Sequence, residues 1–210
     1  MGGRRLMTLV DIEYDSNRWI RVPLDYVGTR WPDAASWADW LADEATRGRP
    51  DAETIAPLVR DSAQAIALFP AAHVWGRFWH YPVDGMPTGF VDVYVESRTP
   101  DGTDAADLLP DTGFTAVTPV LERLDVPGFT TAARRRSLVL VLRAEADEDP
   151  VPMPRVEWLG VGHRWVCYIV TNDHDPAAAN ARAVDTDALF AALGAAALGA
   201  ASPTGSDGNR

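Results

Sequence analysis

The residues able to do chemistry are few and scattered. Asp173, His174 and Asp175 place two carboxylates and an imidazole within three positions, donor types that divalent cations take. Adjacent residues of an extended segment point apart, so at most two of them reach one ion, and a further ligand such as His163 has to come from elsewhere. Asp175 also stands just before Pro176, the arrangement of a helix N-cap followed by a first-turn proline, and capping accounts for the same residues. His80 could act as a general base with Asp92 or Glu96 on a facing strand. No Gly-x-Ser-x-Gly nucleophile motif accompanies it, and a lone strand histidine more commonly serves as a structural hydrogen-bonder.

The triplet Arg134, Arg135 and Arg136 offers forked donors to a phosphate or carboxylate. In a strand the middle arginine points away from its neighbours, and a solvated charge run that offsets acids such as Asp125 is the plainer reading. Gly160-Val161-Gly162 lacks the longer glycine pattern and following helix of a dinucleotide loop and reads as a turn. The single cysteine, Cys167, lies in an apolar run, where a buried inert thiol is expected. All 19 basic residues are arginine, which excludes a Schiff-base or phosphate-loop lysine from this chain.

The stretch that must position such groups runs from Ala72 to Ser97. Val74 to Tyr81 and Phe90 to Glu96 are rich in aromatic and β-branched residues, with Pro-Val-Asp-Gly-Met-Pro-Thr-Gly between them, and this predicts an antiparallel pair. Alternation puts Trp75, Arg77, Trp79 and Tyr81 on one face of the first strand and Val74, Gly76, Phe78 and His80 on the other. The aromatic face is the candidate binding surface, because Trp, Tyr and Arg are the types enriched at binding hot spots. Its alternative is plain core beneath helices.

Around this pair, Leu6 to Tyr14 and Trp19 to Leu24 read as a hairpin with a polar turn. A helix is expected from Pro32 to Gly48 with an aromatic stripe, and a second from Asp51, as N-cap, to Pro70. Both should pack on one face of the sheet. An acidic, turn-rich excursion from Arg98 to Gly113 is either a long loop or a loop holding a helical turn at Ala105 to Leu109. Thr115 to Leu124 could be strand or helix, with Val117, Thr118, Pro119 and Val120 favouring strand, and Asp125-Val-Pro-Gly reads as a turn. Phe129 to Ala133 precedes the arginine triplet, and Leu138 to Leu142 reads as a buried strand. Glu145 to Pro154 is the next turn. Arg155 to Leu159 and Arg164 to Thr171 form a hairpin. A broken helix follows Asp175, restarted by Asp185 and anchored by Leu189 and Leu193, and Gly199 to Arg210 is a polar tail.

At 210 residues the chain holds material for one core, predicting one domain over 1–198 and a flexible tail over 199–210. The net charge of −11 argues against nucleic acid as a partner. No run approaches a membrane span, so no membrane insertion is expected, and the N-terminal apolar run is too short for a signal peptide. The cytoplasm is the simplest address.

The order of elements, with the Asp125-Val-Pro-Gly turn, three further strands and a closing Asp-Thr-Asp-Ala-Leu-Phe helix, resembles the Mog1/PsbP-like α+β sandwich as found in actinobacterial proteins of the LpqN type. The resemblance covers roughly Trp19 to Leu198 and implies a binding or accessory role; the lipidated cysteine of the lipoprotein members has no counterpart at this N-terminus. The expectation is thus an α+β fold, an antiparallel sheet of about six or seven strands with helices packed on it. The function expected of it is a cytoplasmic module engaging a protein partner or a second copy of itself, with no cofactor, no bound metal and no catalytic residue. The alternative is a small hydrolase or metal-dependent enzyme using His80 or His174.

Overall fold

The computed structural model describes residues 12–83, 87–98, 101–141 and 149–201. In chain order the elements are β1 (Trp19–Val22), α1 (Ala34–Thr46), α2 (Ala52–Leu68), β2 (Gly76–His80), β3 (Phe90–Ser97), α3 (Ala105–Leu108), β4 (Val120–Leu124), β5 (Thr131–Val141), β6 (Val151–Val161), β7 (Trp165–Asn172) and α4 (Pro176–Ala201). The strands form one antiparallel sheet of seven in the order β1-β2-β3-β7-β6-β5-β4, an α+β architecture at the upper end of the expected strand count.

Period-two alternation divides the sheet into two faces. On one, His80 and Phe78 of β2 align with Trp19 and Val91, and Val93, Ile169 and Trp158 follow across β3, β7 and β6. Helix α4 covers this face, burying Ala183, Leu189, Phe190 and Leu193 against it, with Ile12 and Tyr14 packed nearby. Leu189 and Leu193 are the expected anchors, 2% and 1% exposed. At the far end of α4 the helix meets the Asp125-Val-Pro-Gly turn backbone to backbone. Gly128 has φ +96°, and a Cβ there would sit 1.7 Å from the Gly194 carbonyl oxygen, so this crossing requires glycine.

The opposite face is covered in pieces. Helices α1 and α2 bury Trp37, Leu41, Val59 and Ala63 against Val22 and Trp79 at the β1 side, while the short α3 seats Ala105 on Ala133, Leu159 and Val161 at the β5 side. Helix α1 begins two residues later than Pro32 would have it begin, because the Asp33 carboxylate caps it by accepting from the Ser36 N–H at 2.8 Å. Asp51 makes no such cap; its carboxylate is held by Arg49 at 3.0 and 3.1 Å.

Several sequence readings are corrected. The strand expected over Leu6 to Tyr14 lies outside the described residues as far as Asp11, and Ile12 and Tyr14 pack on the sheet face without entering the sheet. β5 is one strand of 11 residues running straight through the arginine triplet, because each of its residues has a register partner on β6. α4 is a single helix of 26 residues that does not break near Asp185 and reaches Ala201, past the expected start of the tail at Gly199. Residues 202–210 of that tail, 142–148 of the acidic turn, and 84–86 and 99–100 of the two loops lie outside the described residues. None of the described helices is long and apolar enough to cross a membrane.

Candidate functional site

Of the four residues read as an aromatic face, Arg77 and Trp79 stand under α1 and α2, 0% and 1% exposed. Tyr81 is half-buried beside Trp79, ring centroids 5.2 Å apart. Trp75 goes to the other side. Its N–H donates to the Val93 carbonyl at 2.8 Å although Gly76 is the register partner of Val93, so two residues oppose one and the chain bulges. The Trp75 ring consequently packs on the α4-side cluster, with the Arg21 guanidinium 5.5 Å from its centroid. The four residues therefore form no single surface.

Arg77 is fixed by five bonds. Its Nε and Nη2 donate to the Asp92 carboxylate at 2.6 and 2.9 Å, and Nη1 and Nη2 reach the Ile66, Phe69 and Pro70 carbonyls at 2.8, 2.8 and 2.9 Å. These are carbonyls left over at the end of α2, so the ion pair also ties that helix to the sheet. The row continues through Val170 to Glu157 and Arg135. Glu157, fully buried, accepts from Arg135 Nε at 2.8 Å, Tyr168 Oη at 2.6 Å and Arg155 Nη2 at 3.0 Å. Burial, reinforced by the bond to Glu157, holds the Tyr168 phenol far above its usual range; Tyr94 is raised as well, by burial first and then by Asp92.

Next to this row the sheet face is open. A cleft of about 480 Å³ has Tyr94, Tyr168, Leu159 and Val166 as its floor, Leu108 and Pro110 as its α3-side wall, and Glu96, Ser97 and Arg98 at one end. The two tyrosine rings lie 5.7 Å apart. This volume falls within the range of ligand pockets, and the mix of apolar walls with a few placed polar groups is theirs too. The cleft escaped the sequence reading, although β3 carried a signal: Val91, Val93 and Val95 alternate with Asp92, Tyr94 and Glu96, a polar and aromatic set on one face of a central strand.

The other candidates resolve as follows. His80 does not meet Asp92 or Glu96, since it stands on the α4 face and they stand on the opposite one. Its Nε2 lies 2.7 Å from Asp185 Oδ2 and its Nδ1 2.6 Å from Thr88 Oγ1. Burial lowers its pKa, against the opposing pull of Asp185. The neutral ring therefore carries its proton on Nε2, facing the carboxylate, and accepts from Thr88. Asp173 pairs with Arg182 at 2.8 Å and Asp175 caps α4 through the Ala177 N–H at 2.8 Å, while His174 is exposed. Among the described residues no group of three or more His, Cys, Asp or Glu side chains is placed to hold a metal ion.

The reading of the arginine triplet as a solvated run fits Arg136, which is exposed, but not its two neighbours. Arg134 bonds Glu122 and Asp187, and Arg135 bonds Glu157 and the Pro110 carbonyl, because alternation aims the two at opposite, already covered faces. Cys167 is fully buried, and burial drives its thiol pKa far up, as an inert core thiol requires. No family model matches the chain, and no curated protein or solved structure matches it either.

Proposed function

We propose that this protein is a binding or accessory module that engages a protein partner through the cleft over Tyr94 and Tyr168 and performs no chemistry of its own. The observation that carries this reading is the uncovered centre of the sheet. Two tyrosines and Val166, half-buried, face outward beside the buried Leu159, between helices that close the rest of that face, and half-buried aromatic rings gain most when a partner excludes water from them. The same reading retains the Mog1/PsbP-like sandwich as the fold relative and the cytoplasm as the address, both supported by sequence pattern.

A photo-crosslinking residue at Tyr94, compared with one at exposed Arg47 on the far end of α1, tests it in cells. A discrete adduct from position 94 alone supports the module, and its absence, or the same adduct from both positions, sinks it. A hydrolase built on His80 is the second reading, favoured by the Thr88–His80–Asp185 hydrogen-bonded chain, which has the hydroxyl, imidazole and carboxylate of a nucleophilic triad. Ester turnover abolished by both Thr88→Val and His80→Gln would establish it.

A further inference from the structure

The cleft over Tyr94 and Tyr168 holds one charge that the folded chain leaves unanswered. Glu96 and Arg98 are the charged residues of its lining. Arg98 is turned to its own loop, where Nη2 meets the Asp101 carboxylate at 2.6 Å and the Thr103 hydroxyl at 3.1 Å. Glu96 is exposed and has no partner among the described residues. The β3–β7 register sets it beside the aromatic floor, since Tyr94 stands across from Tyr168 and Glu96, two residues further on the same face, across from Val166.

The protein's own cations are held away from it. Arg135 and Arg155 gather on Glu157, which lies in the cross-strand row of Val170 and Asp92. That row is four residues along β3 from Glu96, about 13 Å, which exceeds the Debye length of ~8 Å at physiological salt. Arg164, whose carbonyl accepts from the Arg98 N–H, is exposed, lies outside the lining and makes no ion pair among the described residues. The carboxylate and the rings therefore call for one kind of ligand. A cation is attracted to a carboxylate and to the face of a tyrosine alike, and Leu108, Leu159 and Val166 offer apolar cover to the methylenes behind it. An anion would be repelled by Glu96, and a purely apolar group would desolvate that carboxylate without pairing it. The net charge of −11 favours the approach of a basic partner as well.

We infer that the partner enters the cleft with a basic side chain, an arginine or a lysine, whose stem lies on the apolar wall and whose head sits between the tyrosine rings and Glu96. The inference rests on the reading of the cleft as a partner site and names the chemistry of what that site takes.

Short peptides blocked at both ends and alike except for a central arginine, norleucine or glutamate test it, in titrations followed by the tyrosine ring resonances at fixed ionic strength. The arginine peptide should shift Tyr94 and Tyr168 to saturation and bind several-fold more tightly than the norleucine peptide, with the glutamate peptide weakest. Glu96→Gln should remove the advantage of arginine over norleucine, and Glu96→Arg should pass it to glutamate, both with an unchanged melting temperature. An arginine peptide that does not saturate, that binds no better than norleucine, or that keeps its advantage in Glu96→Gln overturns the inference. If the advantage is missing while position 94 still crosslinks to a protein in cells, the cation falls and the module stands. Arginine selectivity without an adduct at position 94 upholds the cation and removes the module.

Discussion

The two faces of the sheet are closed by different means. On the α4 side a single long helix lies over an unbroken apolar field, and the polar groups there act as pins: His80 to Asp185, Trp158 Nε1 to Asp187 at 2.7 Å, and Arg182 to Thr171 at 2.7 Å. On the other side three separate helices leave a gap, and the sheet beneath it carries a row of ion pairs next to two tyrosines. A face sealed by one element needs only side-chain packing to hold it. A face sealed in pieces needs each piece tied down, and what remains between the pieces is where another molecule can be received.

The comparison breaks most sharply at Arg77. Arg77→Met should cost about 3–5 kcal/mol, because it strands the Asp92 carboxylate in the interior and frees the end of α2 from the sheet. The double variant Arg77→Met with Asp92→Leu should recover part of that loss, since it removes the stranded charge. Urea unfolding of the two variants measures both. A cost under about 1 kcal/mol for the single change would mean that water reaches the row and that this face is more open than its burial indicates.

On the α4 side the corresponding test is apolar. Leu193→Ala should cost about 2–4 kcal/mol, for the transfer term plus the cavity left beneath a helix that cannot move closer. Gly194 already touches the Pro127–Gly128 backbone, so the site has little freedom to collapse. A cost near zero would show α4 to be loosely seated, and the contrast between the faces would disappear.

A smaller effect follows from the His80 pin and depends on pH. The folded protein holds the imidazole below its usual pKa, so the unfolded chain takes up the proton more readily. Stability from this group is complete above about pH 6.5, the usual imidazole pKa, and is lost as pH falls from there through the lowered folded value. In His80→Gln the urea midpoint should vary less between neutral pH and that window than in the parent protein. Equal slopes in the two proteins would show that the histidine does not titrate with folding.

These contrasts also mark how far the sequence could be read. The helices on both faces, the β2–β3 and β6–β7 hairpins and the Leu189 and Leu193 anchors are local or periodic, and periodicity carries them. The pins are neither. His80 and Asp185 lie 105 positions apart and Arg134 and Asp187 53 apart, and nothing in either neighbourhood names its partner. Asp185 read locally as a helix start because Asp favours N-caps; its bond to His80 across the α4 interface accounts for it in mid-helix. The aromatic face failed at one residue: alternation holds only while the strand is regular, and the bulge at Trp75 and Gly76 sends one indole to the opposite side. The cleft was legible in part, through the Val91-Asp-Val-Tyr-Val-Glu96 alternation, yet its opening depends on where α3 ends.

The smallest stability effect expected is at Tyr94, and it is the change that most sharpens the comparison. Its ring is half-buried, rests on Tyr168 and has no helix above it, so Tyr94→Ala removes little that the folded chain has sealed from water. Stability should change by no more than about 0.5 kcal/mol, as for a surface substitution, whereas a buried aromatic truncated to alanine on the α4 side, such as Trp158, should lose about 3–5 kcal/mol. If the cleft receives a partner, Tyr94→Ala should still weaken that association strongly, because a ring with little role in folding is free to serve recognition. A Tyr94→Ala variant that loses several kcal/mol in urea would place the ring in the core. The cleft would then be a seam in the packing, with both faces of the sheet closed.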